Sequence, residues 1–326
     1  MTSRRAPSAR AALLVVVAVL MIAPLVLSTF RLELLAEVLI FALAAASLDL
    51  LVGYAGMPSL GHAAFVGLGA YVAGLGAIHW TGDALLGVVM AAAAGAIFGL
   101  ATGALAVRSQ GIYFLMLTLA FGELLASVAL TWTSVTGGSN GLTGIPTPQL
   151  LGVLRLDGPD LRYFYVLATV VLGFAVLTGV TRSPFGRSLV GIHQNEARMR
   201  SLGYRVDRYK LAVFVLAGVF AAVAGALHSQ LVRFVSPSAL ALEASIFLLL
   251  MPLLGGAGRL WGAAGGALVV VFLRQELTSR FEGWELGLGI LLLVVAYMGP
   301  YLSRRRTEAG AVSRTHQALP ASGAEA

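Results

Sequence analysis

Uncharged apolar runs of about twenty residues recur along this chain, and that length is what a helix needs to cross a bilayer. Ala11–Thr29, Ala84–Val107, Tyr163–Thr181 and Leu211–Val232 each contain no Asp, Glu, Lys or Arg. The chain is 58% hydrophobic and only 11% charged, far more apolar surface than a soluble core of 326 residues can use. In hydrocarbon the backbone must satisfy its own hydrogen bonds. Runs rich in Ala, Leu, Val and Gly, without strand alternation, do so as helices. The expected fold is therefore an all-α membrane protein, a polytopic helical bundle of about ten transmembrane helices, eight to ten, some of them discontinuous.

The first span is Ala11–Thr29, and Glu37–Trp80 supplies two more, interrupted at Gly53–Ser59. Ala84–Val107 and Gly111–Trp132 follow, then a polar loop, residues 133–160. Tyr163–Thr181 and Leu211–Val232 flank a charged island, residues 182–210. Ala239–Leu254, Leu260–Leu273 and Leu286–Ser303 complete the set. Residues 1–10 precede a membrane domain over 11–303, and the Ala-, Ser- and Gly-rich tail 304–326 is expected to be disordered. The basic N-terminus and its apolar core are signal-peptide-like, but no small-x-small cleavage site follows, so a retained first helix is expected.

Charge sets the expected orientation. With the N-terminus inside and spans alternating, sixteen of the 22 basic residues fall on the inner side and six on the outer. Cytoplasmic loops carry excess Lys and Arg, so both termini and residues 182–210 are expected in the cytoplasm of a bacterial inner membrane protein. The net charge of +7 is thus a topological signal and does not imply nucleic acid.

Several chemistries are excluded. There is no cysteine, hence no disulfide or thiolate site. The one lysine, Lys210, follows Tyr209, so no P-loop is present. There is no H-E-x-x-H, no acidic cluster for a metal, and no G-x-S-x-G around Ser59. No catalytic residue and no cofactor are expected on this chain.

Glycine concentrates at two interruptions of apolar runs. One holds Gly53, Gly56, Ser59, Gly61 and His62; the other holds Gly255, Gly256 and Gly258. Broken helices are tolerated where they line a cavity or pack inside protein, and in transporters they mark pathways. Close helix packing through small residues is the competing reading. Asp49, Glu123 and Glu243 lie within or at the edge of apolar runs, where acids face a cavity or a partner, with Glu243 expected at the membrane edge. Asp49 and the two glycine clusters are the candidate pathway or gate. Proton coupling through Asp49 and Glu123, in a self-sufficient secondary transporter, is the alternative these residues leave open.

The island has its own layout. Ser183 can cap a helix and Pro184 suits its first position. Leu189, Ile192, Met199 and Leu202 are spaced to share one helical face, and Gly203 can end the helix left-handed. One amphipathic helix beneath the membrane is expected, either docking on a cytosolic protein or resting on anionic lipid.

Three motifs together resemble the permease subunits of branched-chain amino acid ABC importers, the M-type of the two paired permeases. They are GYAGMPSLGHAAFVGLGAY (Gly53–Tyr71), TGGSNGLTGIP (Thr136–Pro146) and SPFGRSLVGIHQNEARMRSLGYRVDRYKLAVFVLAG (Ser183–Gly218). The resemblance implies a coupling helix of the "EAA" type, with Glu196, Ala197 and Gly203 at its recognisable positions and the apolar Leu189, Ile192, Met199 and Leu202 against an ATPase. It departs in having Arg198 for the second Ala. It implies a second permease subunit, two ATPase subunits that bind ATP and Mg, and a periplasmic binding protein. The implied cargo is a branched-chain amino acid or a similar small polar molecule, urea and short amides included.

Overall fold

The computed structural model describes residues 18–280 together with Gly289. The expected start of the first span and the N-terminus (residues 1–17), the span Leu286–Ser303 and the tail 304–326 lie outside the described residues. The chain divides at Phe272, and the second unit begins at Leu273.

The described residues are mostly helical. Helix α1 covers residues 18–26; α2 is Thr29–Asp49, continued by a π-helical turn, Leu50–Tyr54. Then come α3 (His62–His79), α4 (Ala84–Ala106), α5 (Ile112–Thr131) and the single turn α6 (Thr133–Thr136). A two-stranded antiparallel hairpin, β1 (Gln149–Leu150) with β2 (Leu154–Arg155), leads to α7 (Pro159–Arg182). The island forms α8 (Pro184–Gln194) and α9 (Glu196–Ser201), followed by α10 (Val206–Val232), α11 (Leu242–Gly255) and α12 (Leu260–Arg280). Six helices among the described residues are long and apolar enough to cross a membrane: α2 with its π turn, α3, α4, α5, α7 and α10. Helix α11, at 14 residues, is too short to cross alone.

Helices α2, α3 and α10 are the most buried of these. Their approach is set by glycine. A Cβ on Gly69 would strike the Ala222 carbonyl, one on Gly225 the Val66 carbonyl, and one on Gly95 the Gly218 carbonyl. The backbones of α3, α4 and α10 therefore touch without side chains between them, as small residues allow in lipid. Toward one end the Tyr165 hydroxyl and Gln230 tie α7 and α10 to the first carbonyl of α4. Tyr165 Oη lies 2.9 Å from Gln230 Oε1, and Gln230 Nε2 donates to Ala84 O at 2.9 Å.

The TGGSNGLTGIP motif, Thr136–Pro146, folds as a loop. Gly137, Gly138, Gly141 and Gly144 have positive φ, and Leu142 and Val235 exchange backbone hydrogen bonds of 2.8 and 3.2 Å. This bridge pins the segment before α11, in which a 3-10 turn, Pro237–Leu240, packs against α3 and α5. Helix α11 then starts part-way along its neighbours. Its first N–H, at Leu242, donates to Glu123 Oε1 at 3.2 Å, and Glu123 lies about 16 Å along α5. Irregular backbone followed by a half-length helix is how a discontinuous span is built.

Candidate functional site

The two glycine clusters, some two hundred residues apart in sequence, meet in space. Helix α2 ends in the π turn, where the Ala55 N–H donates to Leu50 O at 3.1 Å. Beside it runs the 256–259 turn between α11 and α12, with Gly256 and Gly258 at φ +87 and +82. A Cβ on Gly53 would collide with the Gly258 backbone and with the Asp49 carboxylate, and one on Gly258 would sit 3.5 Å from Gly53 O. Only glycine permits this crossing. One turn earlier on α2, Asp49 is fully buried and its Oδ1 accepts the Gly258 N–H at 2.8 Å. Asp49 thus caps, from another helix, the turn that opens α12. Its Oδ2 has no partner. Gly255 packs against the Gly262 carbonyl at the same crossing.

The rest of the first cluster holds the loop 55–61 in place. The Gly61 N–H donates to Ser59 Oγ at 3.3 Å, and Gly61 abuts the Thr118 carbonyl of α5. His62, fully buried, lies 2.8 Å by its Nε2 from Ser47 Oγ. Ser47 already gives its hydroxyl proton to Ala44 O at 2.7 Å, so His62 Nε2–H is the donor and its Nδ1 is left without a partner. Ser59, Gly61 and His62 therefore lie along the α2–α3–α5 contact, while Asp49, Gly53, Gly255, Gly256 and Gly258 form the crossing itself.

The island differs from the single helix its periodicity predicts. Asn195 is extended (φ −159, ψ 94) and its Oδ1 accepts the Arg198 N–H at 2.9 Å, so it ends α8 and caps α9. The chain bends there, and Met199 folds back over Gly191. The four apolar residues do not share an outward face. Leu189 and Ile192 are buried within this chain, Met199 is half-buried, and Leu202 is 67% exposed. The correction has a physical cause: Asn competes for backbone N–H groups and restarts a helix where an apolar count sees continuity. Both ends behave as expected. Ser183 Oγ accepts the Gly186 N–H, and Gly203, at φ +86, closes α9 with Gly203 N–H to Arg200 O and Tyr204 N–H to Met199 O.

Glu196 is the hub of this segment. It takes Lys210 Nζ at 2.6 Å, Arg200 Nη2 at 2.8 Å and Gln110 Nε2 at 3.3 Å. Arg200 also binds Asp207 at 2.7 Å. Burial pushes the Glu196 carboxyl up, but hydrogen bonds from Lys210 and Arg200 outweigh it and hold the group below the ordinary carboxylate range. The network ties α9 to α10 and to the α4–α5 connection. Ala197, Arg198, Ser201 and Leu202 are left facing outward.

His193, on the last turn of α8, was not singled out by the sequence. Its Nδ1 lies 3.2 Å from Gly53 O, and a Cβ on Gly56 would lie 2.5 Å from its Cδ2. The island thus touches the helix break directly. No local pattern announces a contact 140 residues apart in sequence.

Six helices long and apolar enough to cross a membrane, with a folded charged loop resting on a helix break, are the features of a multi-pass membrane protein. Residues 30–297 match the family described as branched-chain amino acid transport system / permease component, and the chain belongs to it. It is 31% identical over 304 residues to the high-affinity branched-chain amino acid transport system permease protein LivM of Escherichia coli, covering 85% of this chain and 70% of that one. It is 24% identical to the probable branched-chain amino acid transport permease protein LivM of Methanocaldococcus jannaschii, covering 78% and 87%. The ribose import permease protein RbsC of Escherichia coli is 29% identical over 60% of this chain and 61% of its own. No solved structure matches significantly. The chain is a transport subunit and not an enzyme.

Proposed function

We propose that this chain forms half of the translocation pathway of an ATP-driven importer for branched-chain amino acids or a similar small polar substrate. The observation that carries the reading is the folded, ion-paired island seated on the break in α2, within a chain that belongs to a permease family. A carrier driven by protons needs no such structure. Asp49 and Glu123, the groups that reading relied on, each accept a backbone N–H at the start of another helix or turn.

In this proposal about ten spans run through residues 11–303, with both termini and residues 182–210 cytoplasmic and 133–160 periplasmic. A second homologous permease supplies the other half of the route. Two ATPase subunits, which carry ATP and Mg, bind below, and a binding protein delivers substrate outside. Ala197, Arg198, Leu202 and Gly203 form the docking surface, while Leu189, Ile192, Glu196 and Met199 support it from behind. Asp49 and the two glycine clusters form the gate, and Glu123, exposed half-way along α5, faces the route or the second permease.

Affinity purification of the chain from its native membrane tests the assembly. An ATP-binding cassette subunit and a second permease should co-purify, and a chain recovered alone in mild detergent would contradict it.

A further inference from the structure

We infer that His193 is the side chain through which the α8–α9 segment holds the end of α2 in its π-helical register. The inference rests on the coupling role proposed above for that segment. The last carbonyls of a helix lack intrahelical partners. Gly53 O is one of these, and a carbonyl only accepts, so His193 Nδ1 carries the proton it donates over 3.2 Å. The ring also packs on Gly56, whose φ of +68 favours glycine and whose missing Cβ leaves room for the imidazole.

A π turn is a helix with one extra residue in its ring. Closing it to α would rotate everything beyond it by about 100°. Gly53 sits inside this turn and against Gly258, so such a change would displace the 256–259 turn and draw Asp49 Oδ1 away from the Gly258 N–H. Movement of α8 would thus reach both helix breaks through one side chain. His193 is a positioning residue, since it need touch neither substrate nor nucleotide.

Two measurements test this. The first is a double-mutant cycle in the melting temperature of the purified chain. Gly56→Ala should lower it through backbone strain and collision with the ring, and should lower it less in a His193→Ala background. Equal falls in both backgrounds would overturn the contact, whether or not ATP drives this protein. The second uses the co-purified complex carrying Met57→Cys, a buried position in a cysteine-free chain whose N–H bonds Leu51 O. A non-hydrolysable ATP analogue should change its rate of thiol labelling by about fivefold or more. His193→Ala should abolish that nucleotide dependence, and His193→Asn, which keeps a donor near the Nδ1 position, should restore it. A nucleotide response that is absent with His193 in place, or that survives His193→Ala, overturns the inference. A complex without an ATPase would instead sink the importer reading, and the cycle would still decide the contact.

Discussion

Leu189 and Leu202 make opposite predictions although both are apolar residues of the same loop. Leu189 is fully buried inside the chain, and Leu202 is 67% exposed. Truncating Leu189 to Ala removes three carbons, about 2.4 kcal/mol at ~0.8 kcal/mol per buried methylene. The cavity left behind raises the loss to about 3–5 kcal/mol. For a chain of 326 residues, with an unfolding entropy of ~2.1 cal/mol/K per residue, that corresponds to a fall in melting temperature of roughly 4–7 °C. Leu202→Ala removes nothing from the chain's own core and should shift stability by no more than about 0.5 kcal/mol. At the centre of a partner interface the same truncation would cost about 2 kcal/mol of binding, roughly thirtyfold in affinity. The assays are a thermal unfolding scan at fixed rate on the purified chain and titration of the isolated ATPase onto it. Leu189→Ala should melt early, and Leu202→Ala should melt normally but bind weakly. If Leu189→Ala melts normally and Leu202→Ala binds normally, the division into supporting and docking residues is wrong.

Glu196→Gln leaves the nearly buried Lys210 ammonium without its carboxylate, a loss of about 3 kcal/mol, visible as earlier melting and faster proteolysis between α9 and α10. Because the folded-state pKa of Glu196 is depressed, its contribution is complete above the ordinary value of about 4.3 and is lost as pH falls below it. A melting curve followed from pH 7 to pH 3 should drop for the wild type and less for Glu196→Gln; parallel curves would refute this. Gly225→Leu drives a side chain into the Val66 carbonyl of α3 and should cost about 3 kcal/mol or more, read as loss of the purified, monodisperse chain, while the half-buried Gly158, where an added Cβ meets nothing within 4 Å, tolerates Ala. Single cysteines at Ser3, Arg198 and Ser322 should resist an impermeant thiol reagent in intact cells and one at Ser139 should react; labelling at Arg198→Cys from outside would reverse the topology.

The long helices were legible because a bilayer leaves the sequence little choice. Ala84–Val107 became α4 and Gly111–Trp132 became α5 within a residue at each end. The break after Asp49 was visible from Gly53, Gly56 and Pro58, since Gly and Pro end helices whatever surrounds them. Helices were lengthened where charge misled. Helix α10 starts at Val206, five residues before the apolar run, because Asp207 and Lys210 are neutralised by Arg200 and Glu196. What no local pattern holds is which breaks meet. That Gly53 faces Gly258, and that His193 faces both Gly53 and Gly56, depends on how α2, α8 and α11 pack. Glu243 shows the same limit. It lies in the first turn of α11, beside the Leu242 N–H that reaches Glu123 half-way along α5, a pairing that no run of sequence announces. Asn195 was legible in principle as a cap, but the spacing of Leu189, Ile192, Met199 and Leu202 across it simulated a continuous face.

In the proposed function, ATP hydrolysis on partner subunits, transmitted through residues 182–210, drives uptake through this chain. The most direct measurement is uptake of radiolabelled leucine and urea, each with its binding protein, into vesicles containing the purified complex. Uptake should require ATP on the side of the cytoplasmic face, persist without a proton gradient and stop when the ATPase is left out. Uptake by this chain alone, driven by a proton gradient with no ATP, would contradict it.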